Sequence, residues 1–435
     1  MNVVNKIYFL SVFLLVLSLF SCKKDEDEFG PKVTFSSPVE NQSFNVYDYV
    51  SVTATVTDDT KIETVSVSLT DANQAAVHIT VPVSVSSPSM TLNMQYLLDN
   101  IHLESGFYYV TITASDGAHH TNAYRKIYIT AAPKVLKQIY LVSSAGSAQT
   151  NLSTVDSTFS SISPFHVFTG DYLGSSLSSY HQQAYVCGNY TGDFTALILQ
   201  YNTNRFSITS TTSSNPYFTG YANNDLHTYI ARYDGSIRGY DYAGTVSYAA
   251  TALAGSYAQQ LCFNSGYLVA EQKDKLSSSK KLVTYFPTGS AEKNCMLSQD
   301  VVAFCEKDNT NVFVFGNVAG QGVMQLFDRI NNNLWSPYPF PLPAGSLLSA
   351  VKIDADTYLL GLSDGTIYKY QYSLNSVTTY ISGYTAVKLK YDELNNKLYV
   401  VEANRLTTFN YSTAAMANTI NSVETIQNVH LLYNR

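Results

Sequence analysis

The side chains that could carry chemistry are few and widely spaced. His119 and His120 are adjacent and could share a metal, yet they fall between two strand-like stretches, where a solvated turn competes as the explanation. Asp354, Asp356 and Asp392 could supply the paired carboxylates of a glycosidase. Each also sits at a tight turn, where Asp is favoured because its carboxylate accepts nearby backbone N–H groups. His430 lies in an apolar, strand-like stretch, as a core or channel-lining residue. Cys187, Cys262, Cys295 and Cys305 show no C-x-x-C spacing, which argues against a zinc site. An oxidising compartment would permit a Cys295–Cys305 bond; four small buried thiols are the other reading. There is no G-x-S-x-G elbow, no H-E-x-x-H and no phosphate-binding glycine loop. No catalytic residue, metal ligand or cofactor is therefore assigned.

Aromatic residues are more informative. Two stretches place them beside proline: Asn215-Pro216-Tyr217-Phe218, and Trp335-Ser336-Pro337-Tyr338-Pro339-Phe340-Pro341, which holds the only Trp. Proline restricts a loop before any ligand arrives, so its aromatics can be held out at little entropic cost. Aromatic plates near Asn, Gln and Tyr suit sugars or peptides. Trp335, Tyr338, Phe340, Tyr217 and Phe218 are the candidate ligand-binding residues. For Trp335 and Phe340 the competing role is to cover the outer edge of a sheet.

The elements that must hold these residues are strands. Of 435 residues, 35 are Tyr and only 14% are charged, so Ser, Thr, Asn and Tyr take the place of charge on the surface. Tyr, Thr and Val favour strands, and the strong helix formers do not dominate. An all-β protein follows. A net charge of -7 argues against nucleic acid, whose binding needs clustered Lys and Arg. After Phe20 no apolar run approaches the length that spans a membrane.

From Lys32 to Ala132 the chain alternates with period two. Val50-Ser51-Val52-Thr53-Ala54-Thr55-Val56 puts Val and Ala on one face and Ser and Thr on the other. Val65 to Leu69, Tyr109 to Ala114 and Tyr124 to Ile129 repeat the arrangement, with turn signals between them at Asp58-Asp59, Asp71-Ala72-Asn73 and Asp116-Gly117. About seven short strands in some hundred residues suit an immunoglobulin-like β-sandwich. The segment resembles bacterial Ig-like or PKD-type spacer domains, which implies that residues 32–132 hold the next domain away from the membrane. No Cys…Trp…Cys core is present.

A longer period governs residues 137–435. Asp356-Thr357-Tyr358-Leu359-Leu360-Gly361, Ser363-Asp364-Gly365 and Thr366 to Tyr372 read as strand, turn and strand. Aligning the similar phrases sets Tyr140, Tyr185, Tyr229, Tyr267, Phe313, Tyr358 and Tyr399 in register, at separations of 45, 44, 38, 46, 45 and 41. A strand-built period near 40–45 is the mark of a β-propeller. The opening Tyr399-Val400-Val401 resembles the YVTN group of propellers, and no Trp-Asp signature is present. Before most hairpins lies one more strand, as at Ala258 to Phe263, Val301 to Cys305, Leu348 to Ile353 and Ala386 to Tyr391. These are read as the innermost strands. The first hairpin lacks one, and Gln427 to Tyr433 is a strand without a hairpin. The C-terminal strand would complete the first blade and close a seven-bladed ring. In such a ring, the loops entering the inner strands share a face with the turns between second and third strands, and that face would carry both aromatic loops. The inner strands that can be placed carry few charges: Glu306, Lys352, Lys388 and Lys390.

The start of the chain supplies an address. Lys6 precedes an apolar run from Ile7 to Phe20, too short for a spanning helix of roughly 20 residues. Leu19-Phe20-Ser21-Cys22 resembles a lipobox. By that resemblance residues 1–21 are a lipoprotein signal peptide and Cys22 receives lipid. Lys23-Lys24-Asp25-Glu26-Asp27-Glu28 cannot pack in a core, so residues 22–31 read as an acidic tether. Lysine before an acidic cluster resembles the surface-export signal of one large phylum of Gram-negative bacteria, and Asp156-Ser157-Thr158 resembles an O-glycosylation acceptor of the same phylum. The expectation is a lipid-anchored protein of the outer membrane, on the cell surface. Its propeller would bind a glycan or an outer-membrane partner protein without catalysis; the alternative is a propeller enzyme, a lyase or glycosidase, acting on polysaccharide.

Overall fold

A computed structural model describes residues 29–435, apart from residues 86, 212, 225, 339–341 and 344. The lipobox and Cys22 lie outside the described residues. Among those described, all regular structure is strand, and the chain divides into one unit ending at Pro133 and another over Lys134–Arg435.

The first unit has eight strands rather than about seven. A three-stranded sheet orders β1 (Lys32–Ser37), β3 (Tyr49–Thr57) and β6 (Ser89–Leu97). A five-stranded sheet orders β2 (Gln42–Asn45), β8 (His120–Thr130), β7 (Gly106–Ser115), β4 (Thr64–Thr70) and β5 (Val81–Val83). The period-two pattern acts as its chemistry dictates. Val50, Val52, Ala54 and Val56 of β3 are wholly buried, while the Ser and Thr between them keep solvent contact. They share one core with Val65, Val67 and Leu69 of β4 and Val110 and Ile112 of β7, so side chains of both sheets meet. His119 and His120 belong to the turn into β8 and its first residue. The Asp116 carboxylate accepts the backbone N–H of Ala118 and of His119, each at 2.6 Å, so the turn uses its acid for backbone satisfaction.

The second unit holds, among the described residues, five four-stranded antiparallel sheets and one eight-stranded sheet, whose two four-stranded antiparallel halves take the third and fourth of seven places. Their innermost strands, from the first sheet to the seventh, are Thr425–Tyr433, Gly174–Ser178, Phe218–Asn223, Ser256–Asn264, Asp300–Glu306, Leu347–Lys352 and Lys388–Asp392. A single parallel bridge, Tyr221 to Gln260, links the third sheet to the fourth. The seven registered aromatics all fall on second strands. Six are buried. Tyr267 is half-buried, with the Arg329 guanidinium carbon 3.7 Å from its ring centroid.

Second strands read as unbroken apolar runs because both of their faces are covered. Thr357–Leu362 is buried along its whole length. Its alternate residues go opposite ways: Tyr358 and Leu360 into a core shared with the fifth sheet, Leu359 into one shared with the seventh. The rule holds around the unit. One core lies between each consecutive pair of sheets, and another joins Tyr399 and Val401 of the seventh to Ile139 and Leu141 of the first. Each inner strand lies against the next, and Thr425–Tyr433 lies against both Lys388–Asp392 and Gly174–Ser178. That last strand pairs antiparallel with Leu136–Ser144, from Thr425 opposite Ser144 to Tyr433 opposite Leu136. The architecture is all-β and propeller-like.

Turn chemistry follows the local sequence. Gly235 and Gly365 take φ of 102° and 82°, which a side chain would resist, and Asp234 and Asp364 accept the N–H of Ser236 and Thr366 at 2.7 and 2.9 Å. All four described cysteines are free. Cys295 sits on an outer strand of the fourth sheet and Cys305 on the inner strand of the fifth, so the bond the sequence permitted does not form.

Candidate ligand site at the inner strands

One cavity of about 680 Å³ is lined by residues from six of the seven inner strands or the loops beside them. Ser175 and Ser176 come from the second sheet, Tyr221 and Asn223 from the third, Gln260 and Cys262 from the fourth, Glu306 from the fifth, Lys390 from the seventh and Asn428 and His430 from the strand Thr425–Tyr433. The lining is mixed, since Leu177, Ala222, Leu261, Phe263 and Leu431 border the cavity beside these polar side chains. Asn428 and His430 share one side of their strand, with Val429 buried between them.

The polar groups are already organised. His430 Nε2 lies 2.7 Å from Ser175 Oγ, which lies 2.9 Å from the Tyr172 hydroxyl. Ser176 and Tyr221 pair through their hydroxyls. Burial pushes the Tyr172 and Tyr221 hydroxyls and the Cys262 thiol up, so all three stay protonated and the thiol is no nucleophile. Burial, with the positive fields of Lys390 and Lys388, pushes His430 down to about 3.

That value decides what the serine–histidine contact can do. The 2.7 Å approach suits a nucleophile and its base. A useful base, however, has a pKa near the working pH. An imidazole that takes a proton only near pH 3 accepts one from serine poorly, and no carboxylate hydrogen-bonds to it among the described residues. The pair is a hydrogen-bonded element of the cavity wall.

The sequence-derived aromatics lie elsewhere. Trp335 ends the short outer strand Asn333–Trp335 of the fifth sheet and is 41% exposed. Tyr338 packs on the core between the fifth and sixth sheets, its ring centroid 6.3 Å from that of Tyr370. Phe340 is outside the described residues. Tyr217 is half-buried under the Arg232 guanidinium, 5.3 Å from its ring centroid. Phe218 is a correction: it is wholly buried between the second and third sheets and offers a ligand no surface. The two aromatic groups belong to sheets that are not neighbours. The carboxylates also serve locally. Asp354 accepts the N–H of Asp356 and Thr357, Asp356 those of the Ser373 backbone and hydroxyl, and Asp392 the Tyr433 hydroxyl at 2.8 Å. Thr158 gives its hydroxyl to Asp156. The sequence reading missed Ser175, Ser176, Tyr221 and Asn223 because it had not placed the second and third inner strands; their signal was only a short polar alternation.

No family model matches the chain, and no curated protein matches it. Among solved structures, a quinonprotein alcohol dehydrogenase-like protein from Bacteroides thetaiotaomicron is 13% identical, with a TM-score of 0.46 over 93% of this chain and 99% of that one. A computationally designed protein is 12% identical, with a TM-score of 0.47 over 67% of this chain and 87% of the other. A chain of a mitotic checkpoint complex is 12% identical, with a TM-score of 0.47 over 58% of this chain and 78% of that chain.

Proposed function

We propose that this chain is a lipid-anchored protein of the bacterial outer-membrane surface, with an Ig-like spacer and a seven-bladed propeller that binds a glycan without catalysis. The cavity carries this reading. Its walls present Ser, Asn, Gln, Tyr and a neutral His, the donors and acceptors that hydroxyl-rich ligands need, and its volume falls in the range of small-ligand pockets, roughly 300–1,000 Å³. A half-open pocket of that size with a mostly polar wall suits a saccharide better than a flat protein partner. Seven cores between successive sheets, with the last strand beside the first hairpin, support seven blades closed by the C-terminus. Two sheets facing across one core support the Ig-like sandwich. Lipidation at Cys22 rests on the lipobox resemblance, and the expected outcome for Cys22→Ala is protein that is unprocessed or released from membranes. Fractionation with metabolic lipid labelling checks this; a variant that still carries lipid in the membrane fraction refutes it.

The site is tested on a glycan array with two double variants. Asn223→Ala with Gln260→Ala removes two cavity amides and should weaken binding by roughly 1–3 kcal/mol. Trp335→Ala with Tyr338→Ala should leave it within a factor of two or so. The reverse pattern moves the ligand to the proline-rich loop. Turnover of any arrayed polysaccharide would replace the binding reading by the lyase or glycosidase one.

A further inference from the structure

We infer that a second cavity, between the seventh sheet and the first, binds a small amine: a primary ammonium carried on an apolar body. The site is independent of the inner-strand cavity. Its volume is about 550 Å³, within the roughly 300–1,000 Å³ of small-ligand pockets. The first sheet builds one wall from its third strand, Gln149–Val155, and its fourth, Ile162–Thr169. The seventh sheet supplies Ile420 and Asn421 at the end of its outer strand, and Ser422 to Glu424 follow on the way to Thr425–Tyr433.

The cavity exists because small residues underfill this gap. In the sixth sheet, Tyr370 and Tyr368 stand opposite Tyr358 and Leu360, and all four pack into the core shared with the fifth. The equivalent rows of the first sheet place Val155 and Ser153 opposite Ile139 and Leu141, and the next row places Asn151 opposite Ser143. A serine in the row where the sixth sheet has a tyrosine leaves space between the sheets.

Against the apolar lining of Leu141, Ile162, Pro164 and Ile420 stands one carboxylate. Glu424 is the only acid on the wall, and no Lys or Arg joins it. Its carboxylate accepts the Ser143 hydroxyl and the Asn151 amide, the latter 2.7 Å from Oε1 and 2.8 Å from Oε2. Gln149 donates to the Asn151 amide oxygen, which turns the Asn151 nitrogen toward the glutamate. Three neutral side chains thus hold the carboxylate in place and leave its charge uncompensated. No Lys, Arg or His nitrogen lies within 4.0 Å of it among the described residues. His166, the other titratable residue of the wall, has its Nδ1 2.8 Å from Asn202 Oδ1. Ser153 is only 9% exposed, and its hydroxyl has no hydrogen-bond partner among the described residues.

A carboxylate offers about four acceptor sites, and these contacts take three, leaving one on Oε1. An ammonium there forms a charge-assisted bond, roughly twice as strong as a neutral one. Ser153 lies two residues from Asn151, on the same side of the strand, and is the next acceptor for its remaining N–H groups. The apolar body of the ligand covers Leu141, Ile162 and Ile420. An anion would be repelled, and a neutral ligand would leave a charge unpaired beside apolar surface.

The intact protein is titrated at constant ionic strength with cyclohexylammonium chloride, cyclohexanol and sodium cyclohexanecarboxylate, which share a shape and differ in charge. The Ile162 and Ile420 methyl resonances report occupancy. The ammonium should shift both saturably and bind at least about tenfold more tightly than the alcohol, with the carboxylate weakest. Glu424→Gln should erase the difference between ammonium and alcohol. Ser153→Leu, which fills the space opposite Leu141, should block both, and circular dichroism checks that each variant folds. The comparison of the three compounds on the wild type decides the matter even where a variant does not fold. Equal binding of ammonium and alcohol would overturn the inference, as would an ammonium preference that survives Glu424→Gln. Methyls unmoved by all three compounds would overturn the cavity as a small-ligand site. Methyls moved by the tripeptide glycyl-lysyl-glycine alone would overturn the small amine in favour of a partner protein's lysine side chain.

Discussion

Deleting Gln427–Arg435 is expected to unfold the second unit as a whole rather than fray one end. The deleted strand buries Val429, Leu431 and Leu432, which contribute to the cores on both sides of the first sheet. At roughly 1.5–3 kcal/mol for each buried aliphatic side chain, their loss approaches the 5–15 kcal/mol by which a typical domain is stable. Polar ties go with them. Gln427 Nε2 donates to Ser144 Oγ at 2.7 Å, the Tyr433 N–H to Ser179 Oγ at 3.0 Å, and the Tyr433 hydroxyl to Asp392 at 2.8 Å, so one strand holds three sheets. Removing it also bares the edge of Leu136–Ser144, a template for aggregation. Calorimetry and size-exclusion chromatography read the outcome. An unchanged melting temperature and a monomeric profile would rule out the proposed closure.

The second large effect is a pair of opposed pH dependences. Glu271 is 3% exposed on the second strand of the fourth sheet, and burial pushes its carboxyl up to about 7. Such a raised group contributes stability that is complete below the unfolded pKa near 4.5 and lost as pH rises through 7. His430 is 9% exposed and pushed down to about 3, so its contribution is complete above the unfolded value of 6.5 and lost as pH falls toward 3. Between pH 7 and 4.5 each effect amounts to about 3 kcal/mol, with opposite sign, and the wild type should change little. Glu271→Gln should unmask the histidine. The variant should be more stable than wild type at pH 8, by up to about 3 kcal/mol, and should lose that advantage by pH 4.5. Urea midpoints at pH 8, 6 and 4.5 test this; parallel profiles for the two proteins would refute it. Below pH 4 both proteins should weaken further. Hydroxyls and backbone N–H groups around Asp156, and backbone N–H groups around Asp171, hold those carboxyls low, and their stabilisation is lost as they protonate.

Local order was legible in the sequence because it depends on near neighbours. Strand period follows from alternate side chains taking opposite faces, so Val50 to Val56 declared which face was buried. The registered aromatics marked second strands because each repeat meets the same surroundings, and Asp-Gly marked turns because glycine accepts positive φ. The missing strand before Gln138 and the surplus strand after Glu424 even named each other as partners. Tertiary structure alone decided what crosses between repeats. Ser175 and His430 are 255 residues apart and meet at 2.7 Å, a contact that no spacing announces. Phe218 and Trp335 look alike in a proline-rich context, yet one is sealed between sheets and the other is at an edge, because burial depends on what packs against a residue rather than on its own type. Glu271 reads in the chain as one acid among many. Only the neighbouring sheet removes its water and moves its proton affinity, and only the gathering of inner strands turns scattered Ser, Asn, Gln and Lys into one wall.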